Sequence, residues 1–108
     1  MSALSDVDIL VSPTSPYPAP KHTELTARFE SPDDVRKRFF FRRAYTGLYS
    51  LTALPAISIP GGFTGDGMPI GLQLAAKPFA EETLFRAAYS YEQVTDWHTK
   101  IAPGIRTI

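Results

Sequence analysis

The chain has 108 residues, with eleven basic and eleven acidic side chains that cancel, so no global field draws it to nucleic acid or an anionic surface. Hydrophobic residues at 44% and charged residues at 20% are those of an ordinary globular protein, and the length allows one domain at most. The lack of cysteine excludes disulfides, thiolate metal sites and cysteine nucleophiles together.

The N-terminal "MSALSDVDILVSPTSP" has neither the basic start nor the apolar run of a signal peptide. No window approaches the roughly 20 apolar residues of a membrane-spanning helix. The cytoplasm is therefore the expected compartment. Residues 7 to 12, "VDILVS", predict a short buried strand stopped by Pro13. Prolines at 13, 16, 18 and 20 then fix φ and remove four amide donors, which predicts an extended surface loop barred from any central strand. A polyproline ligand for an aromatic groove is the lesser alternative.

Ser31-Pro32-Asp33-Asp34 reads as a helix start: a capping hydroxyl, proline at the first helical position, and two acids at the positive end of the dipole. One helix is expected through "VRKRFFFRRAYTGLY", with Val35, Phe39 and Tyr45 near one face and Gly47 near its end. Its basic cluster, Arg36, Lys37, Arg38, Arg42 and Arg43, suggests nucleic acid or membrane. Three consecutive phenylalanines need cover on several sides, however, and favour a buried helix with a solvated basic edge. An anion or substrate role for one arginine stays open.

"AISIP" predicts a second strand, with Ala56, Ser58 and Pro60 on one side and Ile57 and Ile59 on the other. Gly61-Gly62 either turns or lets the backbone pass close to a neighbour. After a "GDGMP" turn, "IGLQLAA" predicts a third strand, Gly71, Gln73 and Ala75 facing opposite to Ile70, Leu72 and Leu74. "AEETLFRAAYSYEQV" is amphipathic at helical spacing through Leu84, Ala87, Ala88, Tyr91 and Val94, and the remainder reads as a tail. Strands and helices in this order make an α/β chain with a partial mixed sheet and flanking helices. So small a sheet leaves unpaired edges and reads as part of a larger one.

The chemistry legible in these residues is sparse. Ser12, Thr14, Ser15, Ser50 and Ser58 offer hydroxyls, but none lies in a Gly-x-Ser-x-Gly elbow, and Ser58 inside a strand reads as a small packed residue. His22 and His98 have no partner at metal-ligand spacing and read as surface residues; no metal and no cofactor are expected. The acidic pairs at 33–34 and 81–82 are helix-start charges, and adjacent helical residues do not face each other as an acid/base dyad. The glycines are followed by no lysine-bearing helix and make no phosphate loop.

"VDILVSPTSPYPAP" followed by "LPAISIPGGFTGDGMPIGLQLAAKPFAEETLFRAAYSYEQVTDWH" resembles the C-terminal part of amidase-signature hydrolases, over roughly residues 6 to 103. The markers are the aspartate-strand-"SPT" segment, "LPAISIP", the G-x-P-x-G-L-Q run from Gly67 to Gln73, and "KPF" before a Glu-x-x-Leu helix start. The resemblance implies a C-terminal piece of an α/β/α fold belonging to an enzyme that hydrolyses carbon–nitrogen bonds. It also implies a serine nucleophile, a bridging serine and a lysine base in an upstream segment that has no counterpart here. No catalytic residue is therefore expected in this chain, and no amide hydrolysis by it alone. "PTSP", the helix from 33 to 48 and the loop at 60 to 68 are implied to shape the acyl or amide pocket, with Arg42, Arg43, Gly61 and Gly62 nearest the substrate.

Two departures stand out. Ser50 and Ala53 replace the asparagine and glycine of the family's N-L-x-G-L-P approach. "FRRAYTG" lacks the acid that the tRNA-dependent members use on glutamine, which places the chain nearer the general amidases. Met1 falls before a strand that the family sets in mid-domain, as in a deletion, a truncated product or half of a split enzyme. The expected partner is a chain carrying the missing amidase part, or a second copy meeting the open sheet edge. A non-catalytic interaction module and a functionless remnant are the alternatives.

Overall fold

The computed structural model describes residues 4–23 and 28–104, without the side chains of Phe39 and Phe40. Three strands form one antiparallel sheet in the order β1-β3-β2: β1 is Ile9–Pro13, β2 Ala56–Phe63 and β3 Pro69–Ala76. This is the expected α/β piece with flanking helices. Every pairing among the described residues is antiparallel, so mixed pairing requires a strand from outside them. Pro13 is the last residue of β1 rather than its stop. It is tolerated there because β1 is an edge strand.

Register explains how the sheet divides its two faces. Val11 lies opposite Leu74, and Leu74 opposite Ile57; one position on, Ser12 lies opposite Gln73, and Gln73 opposite Ser58. Side chains alternate along a strand, so one face is apolar and the other carries the polar row. Helix α3, Glu81–Glu92, covers the apolar face. Its Leu84 and Ala88 pack with Ile59, Leu74 and Ala76, with Ala87 and Tyr91 at the margin. Val94 was expected on the same stripe. The helix ends at Glu92, before that residue can reach the core, and Val94 is exposed.

The paired glycines have a geometric reason. Pro60 pairs with Gly71 and Gly62 with Ile70, so Gly61 is the extra residue of a β-bulge. A Cβ on Gly61 would stand 3.2 Å from the Leu72 Cβ. Gly62 adopts φ +125°, and the Trp97 ring lies 3.7 Å from where its Cβ would be. The segment read as a tail therefore holds a short 3₁₀ turn, Trp97–Thr99, whose indole packs edge-on against Phe63 with centroids 6.1 Å apart. Between β2 and β3, Thr64 closes the turn: its amide donates to the Met68 carbonyl at 2.8 Å, and its hydroxyl meets Asp66.

The segment expected as one helix from 33 to 48 is broken. Pro32–Val35 opens as α1, capped as expected by the Ser31 hydroxyl, which accepts from the Asp34 amide at 3.1 Å. A π-helical turn, Arg36–Phe40, and a 3₁₀ turn, Phe41–Arg43, follow, and a second helix, α2, spans Thr46–Thr52. Gly47 thus lies in the first turn of α2, not at the end of a longer helix. The expected grouping of Phe39 with Val35 and Tyr45 lies partly outside the described residues. Ala53 ends α2 in the left-handed region at φ 57°, where glycine is the usual occupant.

The core is small for this many residues. The chain exposes 8282 Å², whereas a compact monomer of 11.9 kDa exposes about 6000 Å². Leu51 at 88% and Phe79 at 95% exposure, with Phe41, Phe85 and Tyr89, contribute to this apolar excess.

Candidate functional site

The polar face of the sheet is where separate elements converge. Gln73, on the central strand and only 5% exposed, is the buried polar side chain of the described residues. Its amide nitrogen donates to Ser12 Oγ at 3.2 Å and to the Tyr45 carbonyl at 3.1 Å. One side chain thereby ties β1, β3 and the broken helical segment together. A buried amide so placed must find partners, because leaving it unpaired costs more than the bonds return.

Beside it, two hydroxyls from distant parts of the chain meet. Thr14, first residue of the proline-rich loop, and Ser58 of β2 place Oγ1 and Oγ 2.6 Å apart. Gly71 is the floor beneath them: a Cβ there would stand 2.8 Å from Thr14 Oγ1 and 3.0 Å from Ser58 Oγ. The Thr14 amide also donates to the Gly71 carbonyl at 3.0 Å. Within such a pair one hydroxyl donates and the other keeps its proton for a further acceptor.

Above this floor lies a cleft of about 490 Å³, lined by the loop from Pro13 to Pro20, by Ser58, Thr64, Pro69, Ile70 and Gly71, and by Arg42. The stiff prolines hold the loop as a wall instead of letting it collapse on the sheet. Arg42 is partly buried, and its guanidinium carbon stands 6.0 Å from the centre of the Tyr17 ring. Its Nε is closed to solvent and has no hydrogen-bond partner among the described residues.

Two other cations of the helical segment are engaged locally. Arg36 pairs with Asp33 at 3.0 Å and Arg38 with Asp34 at 3.0 Å. Arg38 also lies over the Phe29 ring at 4.7 Å. Of the four residues expected near a substrate, the structure sets Arg42 in the cleft wall. Arg43 is exposed and is not among the cleft-lining residues. Gly61 and Gly62 form the bulge, and Gly62 borders a different hollow, shared with Trp97 and His98. The four are not brought together. Gln73 was not among the expected site residues; its only signal in the sequence is a large amide in an otherwise small or apolar strand. Among the described residues no group of three metal-ligating side chains occurs, and no helix is long and apolar enough to cross a membrane.

The arrangement is a cleft wall: a hydroxyl pair on a glycine floor and an arginine at the side. Among the described residues, no histidine, lysine or carboxylate lines the cleft. Comparison with known proteins gives the wall its context. The sequence model of the family described as Amidase matches residues 1–85. The chain belongs to the amidase family. The A subunit of glutamyl-tRNA(Gln) amidotransferase from Methanosarcina mazei is 47% identical over 103 residues, covering 95% of this chain and 20% of that protein. Its namesake from Pseudomonas putida strain F1 is 41% identical over 104 residues, covering 96% of this chain and 20% of the relative.

Among solved structures, 6-aminohexanoate cyclic dimer hydrolase with its substrate superposes with a TM-score of 0.73 at 29% identity, over 86% of this chain and 20% of that one. The corresponding amidotransferase protein of Thermotoga maritima superposes at 0.72 with 30% identity, over 88% of this chain and 19% of that one. The chain thus spans about a fifth of the length of the relatives it matches. The relatives named from sequence, at 47% and 41% identity, are both amidotransferase A subunits, whereas the missing acid in "FRRAYTG" is the mark expected of a general amidase.

Proposed function

We propose that this chain forms one wall of the substrate site of an enzyme that hydrolyses carbon–nitrogen bonds. A polypeptide carrying the rest of the amidase fold completes the site and supplies the serine nucleophile and lysine base. The observation that carries this reading is the cleft wall itself: the Thr14–Ser58 hydroxyl pair over Gly71 with Arg42 at the side, and no histidine, lysine or carboxylate lining the cleft among the described residues. Ser58 and Thr14 bond to each other instead of to a base, and an unactivated hydroxyl is a poor nucleophile toward an amide. The surplus exposed apolar surface supports the same reading, since a completing polypeptide would cover it. On this reading the protein works in the cytoplasm.

The experiment is affinity capture of the tagged chain from its native source, with the intact mass of the complex determined. The reading predicts an equimolar partner that bears amidase machinery. It also predicts that the purified chain alone releases no ammonia from simple amides. Recovery of the chain alone, or only with proteins of other classes, contradicts it and leaves an interaction module or a remnant.

A further inference from the structure

The outer face of α3 carries apolar surface that neither the core nor the cleft uses. Phe79, two residues ahead of the helix, is 95% exposed and holds its backbone at φ 63°, a region that bulky L-residues rarely occupy. The turn that displays it is pinned from both sides. The Ala80 amide donates to the Lys77 carbonyl at 3.0 Å, and Lys77 Nζ stands 3.7 Å from the Asp8 carboxylate. Phe85 and Tyr89, one helical turn apart, are 65% and 64% exposed and turn away from the sheet-facing Leu84 and Ala88. Three rings on a fixed frame thus add nothing to the core of this chain. Backbone strain held beside an exposed ring points to a contact made with something else.

We infer that Phe79, Phe85 and Tyr89 are the anchors on which the completing amidase polypeptide docks, through an apolar socket rimmed by lysine or arginine. This rests on the proposed amide-hydrolysing function and locates the attachment of its second polypeptide. Charge selects that occupant. Glu81 and Glu82 stand one turn before Phe85, and Glu92 stands one turn after Tyr89, so acids flank the rings at both ends. None of the three is ion-paired among the described residues. Glu92 also sits at the negative end of the helix dipole, where an acid is disfavoured until a cation meets it. A second copy of the chain fits badly. Packed antiparallel, its Glu92 would face Glu81 and Glu82, and Arg86 near the helix midpoint would face its own image; packed parallel, each acid would meet itself. Area argues against a short peptide. The whole chain exposes about 2300 Å² more than a compact monomer of its mass, against about 800 Å² covered on each side of a standard complex. The rings lie on the α3 side of the sheet, opposite Gln73 and the cleft, so a polypeptide seated on them leaves the cleft open.

The test uses the full chain with the photoreactive p-benzoylphenylalanine in place of Phe79 or of Phe85, added to an extract of its native source and irradiated. The intact mass of the cross-linked product is measured and its joined peptides are sequenced by mass spectrometry. The expected product at both positions is one copy of this chain with one polypeptide bearing amidase machinery, joined through a peptide that contains lysine or arginine. Capture of that polypeptide with neither position joined to it overturns the docking face and leaves the amide-hydrolysing function standing. A product of two copies of this chain overturns the inference in favour of self-association. Joining to a polypeptide of another class, or to none, with no amidase polypeptide captured, overturns both.

A second arm separates docking from folding. Phe79→Asn keeps a residue that tolerates the left-handed region but removes the ring. Alone, this variant is expected to melt no more than about 2 °C below the unaltered chain. Displacing labelled unaltered chain from the captured polypeptide should take about thirtyfold more of it, the scale of a lost anchor. Glu82→Lys sets like charge against the basic rim and should take about fivefold more, a difference that vanishes in about 1 M salt. A fall in Tm that accompanies the loss, or displacement unchanged by Phe79→Asn, overturns the anchor role. Displacement unchanged by Glu82→Lys overturns the basic rim.

Discussion

Thr14 Oγ1 lies 2.6 Å from Ser58 Oγ across 44 residues of chain, with Gly71 flush beneath both. That contact joins the proline loop to the far edge of the sheet, over the central strand. It exists only because position 71 has no side chain. Gly71→Ala therefore pushes a methyl to 2.8 Å of Thr14 Oγ1, and the loop wall must lift. We expect a loss of about 1–3 kcal/mol in the stability of the folded chain, read by urea unfolding. Gly65→Ala, where nothing lies within 4 Å, is the control and should change little.

Gln73 holds the helical segment over the sheet through the Tyr45 carbonyl. Replacing it with leucine keeps the bulk but removes the donor that serves both Ser12 and Tyr45. The expected cost is about 1–3 kcal/mol, because two acceptors lose a partner. A distinguishing readout is amide hydrogen exchange. Protection should fall across residues 41–49 more than in β3, and uniform loss would show that the bond holds nothing in particular.

Ala53 accepts a left-handed conformation that costs an L-residue about 1–2 kcal/mol. Ala53→Gly removes that strain but loosens the unfolded chain by about 0.4–1 kcal/mol. The net expectation is a gain of about 0.5–1 kcal/mol, seen as a higher Tm. A lower Tm would mean that the Ala53 methyl makes a contact worth more than the strain.

Leu84 is the side chain through which α3 grips the sheet, at 3% exposure between Ile59 and Leu74. Leu84→Ala leaves a cavity in a core too small to refill it, and should cost about 2–5 kcal/mol. Val94→Ala, on a residue beyond the helix end, should be silent in the same thermal unfolding measurement.

The strands and α3 were legible because their signals are local: alternation set the two faces of β2 and β3, and a 3.6-residue period set Leu84 and Ala88 inward. The Ser31 cap and the acids at the helix start follow from residue type and position alone, whereas the pairing of Arg36 and Arg38 with Asp33 and Asp34 came only with the structure. The break in the helix after Val35 was not legible. Helix propensity runs on through "RKRFFFRRAY", and the departure coincides with a carbonyl at Tyr45 that Gln73 engages from 28 residues away. Trp97 was read as tail for the same reason, since its partners Phe63 and Gly62 lie more than thirty positions upstream. Arg42 stood out in the sequence as one of five cations and, through the family resemblance, as one of four residues nearest a substrate; its surroundings come from the proline loop folding against it.

The central claim is that this chain completes an amide-hydrolysing site. The direct measurement is ammonia release from a simple amide by the Methanosarcina mazei relative, shortened by the fifth that this chain matches, as this chain is titrated in. The account predicts no release from either polypeptide alone and a rise that breaks at a molar ratio of one to one. A flat line at every ratio, or release from this chain by itself, would contradict it.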